Sequence, residues 1–135
     1  MISLLGNILL WTALLFTIFQ FVNSYRKNNN TLKFNYILSK GLLIIIFLSF
    51  LLLTYSHIVS DFSLLNVYQN SHTTKPILYK ISGVWGNHEG SMLLWILVLV
   101  LFNYFISKFY NNSNFNFITK SMETQALIIF GFLLF

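Results

Sequence analysis

Hydrophobic and polar positions alternate along the chain in long blocks rather than in the short periods of a soluble fold. The first block, 2–22, ISLLGNILLWTALLFTIFQFV, carries no charge. A helix needs about 20 apolar residues to cross the hydrocarbon of a bilayer, so this block predicts a first membrane span. The polar stretch NSYRKNNNTLKFNYILSK follows. A second apolar block, GLLIIIFLSFLLLTYSHIVS at 41–60, is rich in β-branched residues. Its length predicts a membrane helix rather than a strand. Residues 61–90 form the longest polar connection, and a third span is expected over 84–107. A polar linker leads to QALIIFGFLLF at 125–135. Those 11 residues make only about 16 Å of helix. The expected fold is therefore an all-α integral membrane domain with three transmembrane helices plus the start of a fourth.

Composition sharpens this reading. Of 135 residues, 56% are hydrophobic and 8% charged, whereas a soluble domain carries about 25% charged residues. The absence of cysteine removes disulfides, Cys-based metal sites, thiol catalysis and Cys-attached haem. The net charge of +5 would raise nucleic acid as a partner in a soluble protein. Here the cations flank apolar spans, so the lipid bilayer explains them and nucleic acid is not expected. Six basic residues, Arg26, Lys27, Lys33, Lys40, Lys108 and Lys120, fall in the first and last linkers, against Lys75 and Lys80 in 61–90. The positive-inside rule then places both basic linkers on the cytoplasmic or matrix side. The N-terminus and the 61–90 loop would face the periplasm or intermembrane space. The abundance of Asn, Phe, Ile, Leu and Lys points to an AT-rich coding sequence, in an organelle or a bacterium. The expected location is the mitochondrial inner membrane, with the bacterial inner membrane as the alternative.

The unusual chemistry sits in KISGVWGNHEGSMLLW, residues 80–95. Taken as helical from Val84, Trp85, His88, Met92 and Trp95 form one stripe. A flat macrocycle could stack on it, with His88 as ligand or hydrogen-bond partner. An interfacial aromatic belt is the simpler reading. Gly86 and Gly90, four residues apart, would let helices approach closely. Glu89 near a helix N-terminus meets a favourable dipole, or serves acid–base work or a cationic partner. His57 lies near the end of the second span and His72 in a polar loop. Three histidines without clustered carboxylates make no metal site, and no catalytic constellation is visible.

From Asp61 onward, DFSLLNVYQNS and KPILYKISGVWGNHEGSMLLW resemble the N-terminal part of the cytochrome c-type biogenesis family CcmF, the haem lyase membrane subunit. The residues carrying the resemblance are Asp61, Phe62, Ser63, Asn70, Ser71, Pro76, Tyr79, Trp85, Gly86, His88, Glu89, Gly90, Ser91, Leu93, Leu94 and Trp95. The block KPILYKISG is similar to mitochondrially encoded, split versions. The resemblance implies a part of a haem lyase complex that assists haem delivery and attachment to apocytochrome c. It implies a haem chaperone, apocytochrome c and further lyase chains as partners, including one with a Trp-rich segment. That segment is absent here, so haem binding is expected of the assembled complex and not of this fragment, and the chain is not expected to be catalytic alone. The residues that would handle haem or face a partner are Trp85, His88, Glu89 and Trp95. A small structural subunit of a respiratory membrane complex is the alternative.

Overall fold

The computed structural model describes residues 2–26, 31–108 and 115–134; Lys27 of the basic linker and Phe135, the end of the expected fourth segment, lie outside them. Six helices are described: α1 Ile2–Arg26, α2 Thr31–Val59, α3 Leu65–Asn70, α4 Ile77–Gly83, α5 His88–Lys108 and α6 Phe115–Leu134. Four of them, α1, α2, α5 and α6, are long and apolar enough to cross a membrane.

The fourth helix corrects the expectation of a half-length segment. α6 has 20 residues, about 30 Å at 1.5 Å per residue, which matches the hydrocarbon thickness. Lys120 and Glu123 had marked a linker in the sequence. They lie instead within the helix, joined by a salt bridge of 3.1 Å at i,i+3 spacing. The polar run TKSMETQ consists largely of residues that tolerate a helix well, and its hydroxyls bond back to the preceding turn: Ser121 donates to Phe117 O and Thr124 to Lys120 O. α2 likewise begins well before its apolar block, at Thr31.

The four long helices pack in the cyclic order α1, α2, α5, α6 and back to α1. α1 and α5 therefore sit across the diagonal. The buried stripes run at three- and four-residue spacing: Ala13, Thr17, Gln20 and Ser24 on α1; Asn35, Leu42, Ile46, Ser49 and Ser56 on α2; Gly90, Leu93, Ile96, Val100, Asn103 and Ser107 on α5. These stripes mix small and polar side chains with a few aliphatic ones, while Leu5, Trp11, Phe19, Phe47 and Phe102 are exposed. The distribution follows from the solvent: lipid gives no hydrophobic reason to bury Leu or Phe, so close packing and hydrogen bonds hold the helices together. The apolar part of the core is small, centred on Ala13, Leu42, Ile46, Leu93, Ile96, Val100 and Ile129.

A polar network fastens the end of the bundle near Arg26 and Lys108. Gln20 and Asn103 exchange amide hydrogen bonds of 3.0 and 2.9 Å across the diagonal. Gln20 also donates to Ser39 Oγ at 3.1 Å. Asn35 donates to Ser24 Oγ and accepts from Asn23, each at 2.7 Å. Every bond replaces one that water cannot supply in hydrocarbon.

Candidate functional site at the loop end of the bundle

The opposite end of the bundle carries residues 60–88. α2 stops there in a Schellman turn: Ser60 N–H donates to His57 O at 3.2 Å and Asp61 N–H to Ser56 O at 2.9 Å. The residue in the left-handed conformation is Ser60, φ 59°, where glycine is usual. Its side chain is engaged: the Lys80 ammonium donates to Ser60 Oγ at 2.7 Å and to Ile58 O at 3.4 Å. Lys80 thus ties α4 to the end of α2 and covers the Ile58 carbonyl there. Next along the chain, Ser63 donates to the Asp61 carboxylate through its hydroxyl (2.7 Å) and its N–H (3.2 Å). These bonds hold the Asp61 carboxyl below its ordinary range, because they favour the charged form.

Asn87 organises the rest. Its Oδ1 accepts from Gly90 N–H at 2.7 Å, the N-cap bond of α5. The same oxygen accepts from Asn66 Nδ2 at 3.0 Å. Its Nδ2 donates to Gly83 O at 3.0 Å and to Asn66 Oδ1 at 3.1 Å. All four hydrogen-bonding positions of the amide are filled. One side chain therefore joins the start of α5, the end of α4 and the α3 residue Asn66. Asn66 Nδ2 also donates to Glu89 Oε2. Glu89 lies in the first turn of α5, where the helix dipole favours a carboxylate.

These contacts revise the expected helical stripe. α5 begins at His88, not Val84. Trp85 belongs to the turn before it and Gly86 to the same turn, so only His88, Met92 and Trp95 share a helix face. Trp85 is 46% and Trp95 63% exposed. Asn87 caps the helix three residues after Val84, which is why the helix cannot start earlier. Gly86 and Gly90 do not form a helix-packing pair. A Cβ at Gly86 would meet nothing closer than Ser82 O at 3.5 Å. A Cβ at Gly90 would overlap the Val84 carbonyl oxygen and lie 2.8 Å from its carbon. Gly90 is required by the turn of its own chain.

His88 and Glu89 reach the mouth of a cavity of about 280 Å³. It lies between α1, α2, α5 and α6, with Leu10, Leu53, Leu93, Ile96 and Phe132 on its walls and Asn66 beside Glu89. It is mostly apolar. His57 is not part of this wall: the residue is fully buried, Nδ1 sits 3.1 Å from Leu53 O, and Nε2 has no hydrogen-bond partner. His57 and His88 therefore do not line one cavity. His72 is exposed in its loop. Among the described residues, no three His, Cys, Asp or Glu side chains come together as a metal site.

Asn66 and Asn87 do not stand out in the sequence as candidate site residues. Asn87 could have been found as an Asn placed three residues before Gly90 at the start of an apolar run, an N-cap signal. Asn66 carries no comparable local signal, since its partners are 21 and 23 residues away.

Comparison with known proteins agrees with this architecture. No protein-family model matches the chain. The chain is 52% identical over 87 residues to the cytochrome c-type biogenesis protein CycK of Bradyrhizobium diazoefficiens, covering 64% of this chain and 13% of that protein. It is 64% identical over 58 residues to ccl1 of Rhodobacter capsulatus, covering 43% and 9%. It is 32% identical to CcmF of Haemophilus influenzae over all of this chain and 22% of that protein. The chain thus spans less than a quarter of the length of these curated relatives, all bacterial. A solved structure described as the cytochrome c haem lyase CcmF superposes with a TM-score of 0.90 over 98% of this chain and 23% of that one; at 24% identity this speaks to the fold. The chain is a multi-pass membrane protein homologous to the bacterial CcmF, CycK and NrfE proteins of cytochrome c-type biogenesis.

Proposed function

We propose that the chain is a membrane component of a cytochrome c haem lyase that assists haem delivery and attachment to apocytochrome c. The observation that carries the reading is the 52% identity over 87 residues to a cytochrome c-type biogenesis protein. Haem enters this reading as cargo. A cavity of 280 Å³ is less than twice the roughly 150 Å³ that holds a single benzene ring, so it does not enclose a macrocycle of four pyrroles. Haem contact falls instead to the exposed surface around Trp85, His88 and Trp95. Asn87 and Asn66 fix that surface to the bundle, and the rest of the lyase, a chain with the Trp-rich segment included, supplies what this fragment lacks.

Orientation follows from charge: the 61–90 loop faces the periplasm or intermembrane space, where apocytochrome c and the haem chaperone would meet it. The bacterial relatives favour a bacterial inner membrane over the mitochondrial one, and the split mitochondrial form rests on the KPILYKISG block alone.

A second reading is a small structural subunit of a respiratory membrane complex. It is favoured by the use of the buried polar side chains, Gln20, Ser24, Asn35, Ser39 and Asn103, in helix packing. One experiment separates the two. Depletion of the chain should lower covalently bound haem in all c-type cytochromes under the first reading. Under the second it should lower one respiratory activity while holocytochrome c persists.

A further inference from the structure

We propose that the cavity at the loop end of the bundle holds one aliphatic chain of a membrane lipid whose headgroup carries a primary amine, of the phosphatidylethanolamine class. The inference stands apart from the haem reading and does not depend on it.

The cavity exists because of the helix order. α1 and α5 are diagonal partners, drawn together at the far end by Gln20 and Asn103. At the loop end, Gly6 of α1 faces open space: a Cβ there would meet nothing within 4 Å. The space continues between Leu53, Ile96 and Phe132. At 280 Å³ it falls just below the roughly 300–1,000 Å³ of pockets for drug-sized ligands, so the occupant is slender. An apolar wall gives water few partners and favours an alkyl chain.

The mouth selects the headgroup. It opens at the ends of the spanning helices, at the level where lipid headgroups lie. Glu89 stands there with its carboxylate held by the Asn66 amide, a neutral donor. The two lysines of the 61–90 loop are engaged elsewhere, Lys80 with Ser60 and Lys75 with Asn70 O at 2.9 Å. A primary ammonium complements the Glu89 carboxylate and can donate hydrogen bonds to it, which the quaternary ammonium of phosphatidylcholine cannot; a phosphatidylglycerol headgroup is repelled by it.

The test uses the full chain with whatever membrane partners co-purify. It is reconstituted in vesicles of equal parts phosphatidylethanolamine, phosphatidylglycerol and phosphatidylcholine, re-extracted in mild detergent, and its retained lipid identified by native mass spectrometry. The expected result is one phosphatidylethanolamine per chain, several-fold enriched over the other two. Gly6→Leu fills the open space with a helix-favouring side chain and should expel the lipid, with helix content checked by circular dichroism. Glu89→Gln should keep a lipid and lose the amine preference. No retained lipid, a phosphatidylglycerol preference, retention unchanged in Gly6→Leu, or a protein segment in the cavity would each overturn the proposal.

Discussion

Asn66 and Asn87 clasp each other through two amide hydrogen bonds, 3.0 and 3.1 Å long, and so lock α3 to the start of α5. The clasp sets where α5 begins, and through Glu89 it sets the rim of the cavity. Truncating Asn87 removes the N-cap and strands the Asn66 amide. Asn87→Ala should cost about 1–3 kcal/mol of local stability. Amide exchange should accelerate at Gly90, whose N–H Asn87 accepts, and limited proteolysis should cut within 61–87. Protection equal to that of the parent chain would contradict the role assigned to Asn87.

Gly86 and Gly90 should respond unequally to the same change. Gly90→Ala drives a methyl into the Val84 carbonyl, and overpacking of this kind costs about 1–3 kcal/mol or more. Gly86→Ala meets only ordinary contacts. Folded yield in detergent and resistance to thermal aggregation should fall for the first and stay near parental for the second. Equal loss in both would revive a glycine-pair packing face.

The Gln20–Asn103 pair should behave as a unit. Either single change to Leu removes both bonds between the two amides, leaving Gln20 only its bond to Ser39 when Asn103 is lost and costing Asn103 both its bonds to Gln20 when Gln20 is lost. Coupling between hydrogen-bonded partners within a membrane averages about 0.6 kcal/mol and reaches about 1.7 kcal/mol. Gln20→Leu combined with Asn103→Leu should therefore destabilise less than the sum of the single changes, measured by reversible unfolding in mixed micelles. Strict additivity would deny the coupling.

Asp61 should titrate below the roughly 3.9 of a free aspartate, since Ser63 donates twice to its charged form. The sign follows from linkage. With the folded value depressed, the turn is favoured above the unfolded value and the benefit disappears as pH falls through the folded one. Carboxyl carbon resonances of labelled Asp61 should show the low midpoint, and Ser63→Ala should raise it. A midpoint at the free value would remove the two bonds from the account.

Much of the fold was legible because membrane spans are written in block hydropathy. The block at 2–22 falls within α1, the block at 41–60 falls within α2 except for Ser60, and the span expected over 84–107 coincides with α5 only from His88 onward. α6 was half-read: Lys120 and Glu123 interrupt the hydropathy signal, yet their pairing lets the helix run through them. The site was legible in location and not in construction. The cluster at 85–90 announced itself through Trp, Gly, His and Glu. Of the residues that position it, Asn87 carries a local N-cap signal, while Asn66 and Lys80 are common types whose meaning comes from partners about 20 residues away. The cavity was invisible, because it depends on four helices converging.

Covalent haem on c-type cytochromes, read by haem-dependent peroxidase staining of denaturing gels, tests the central claim most directly. Cells lacking the chain should make apocytochrome c at normal levels and lose holocytochrome c. Reintroducing the parent chain should restore it. Chains carrying His88→Ala or Glu89→Gln should insert at parental abundance, recover their membrane partners and restore only a fraction of the holocytochrome. Undiminished holocytochrome c in cells without the chain would contradict the account.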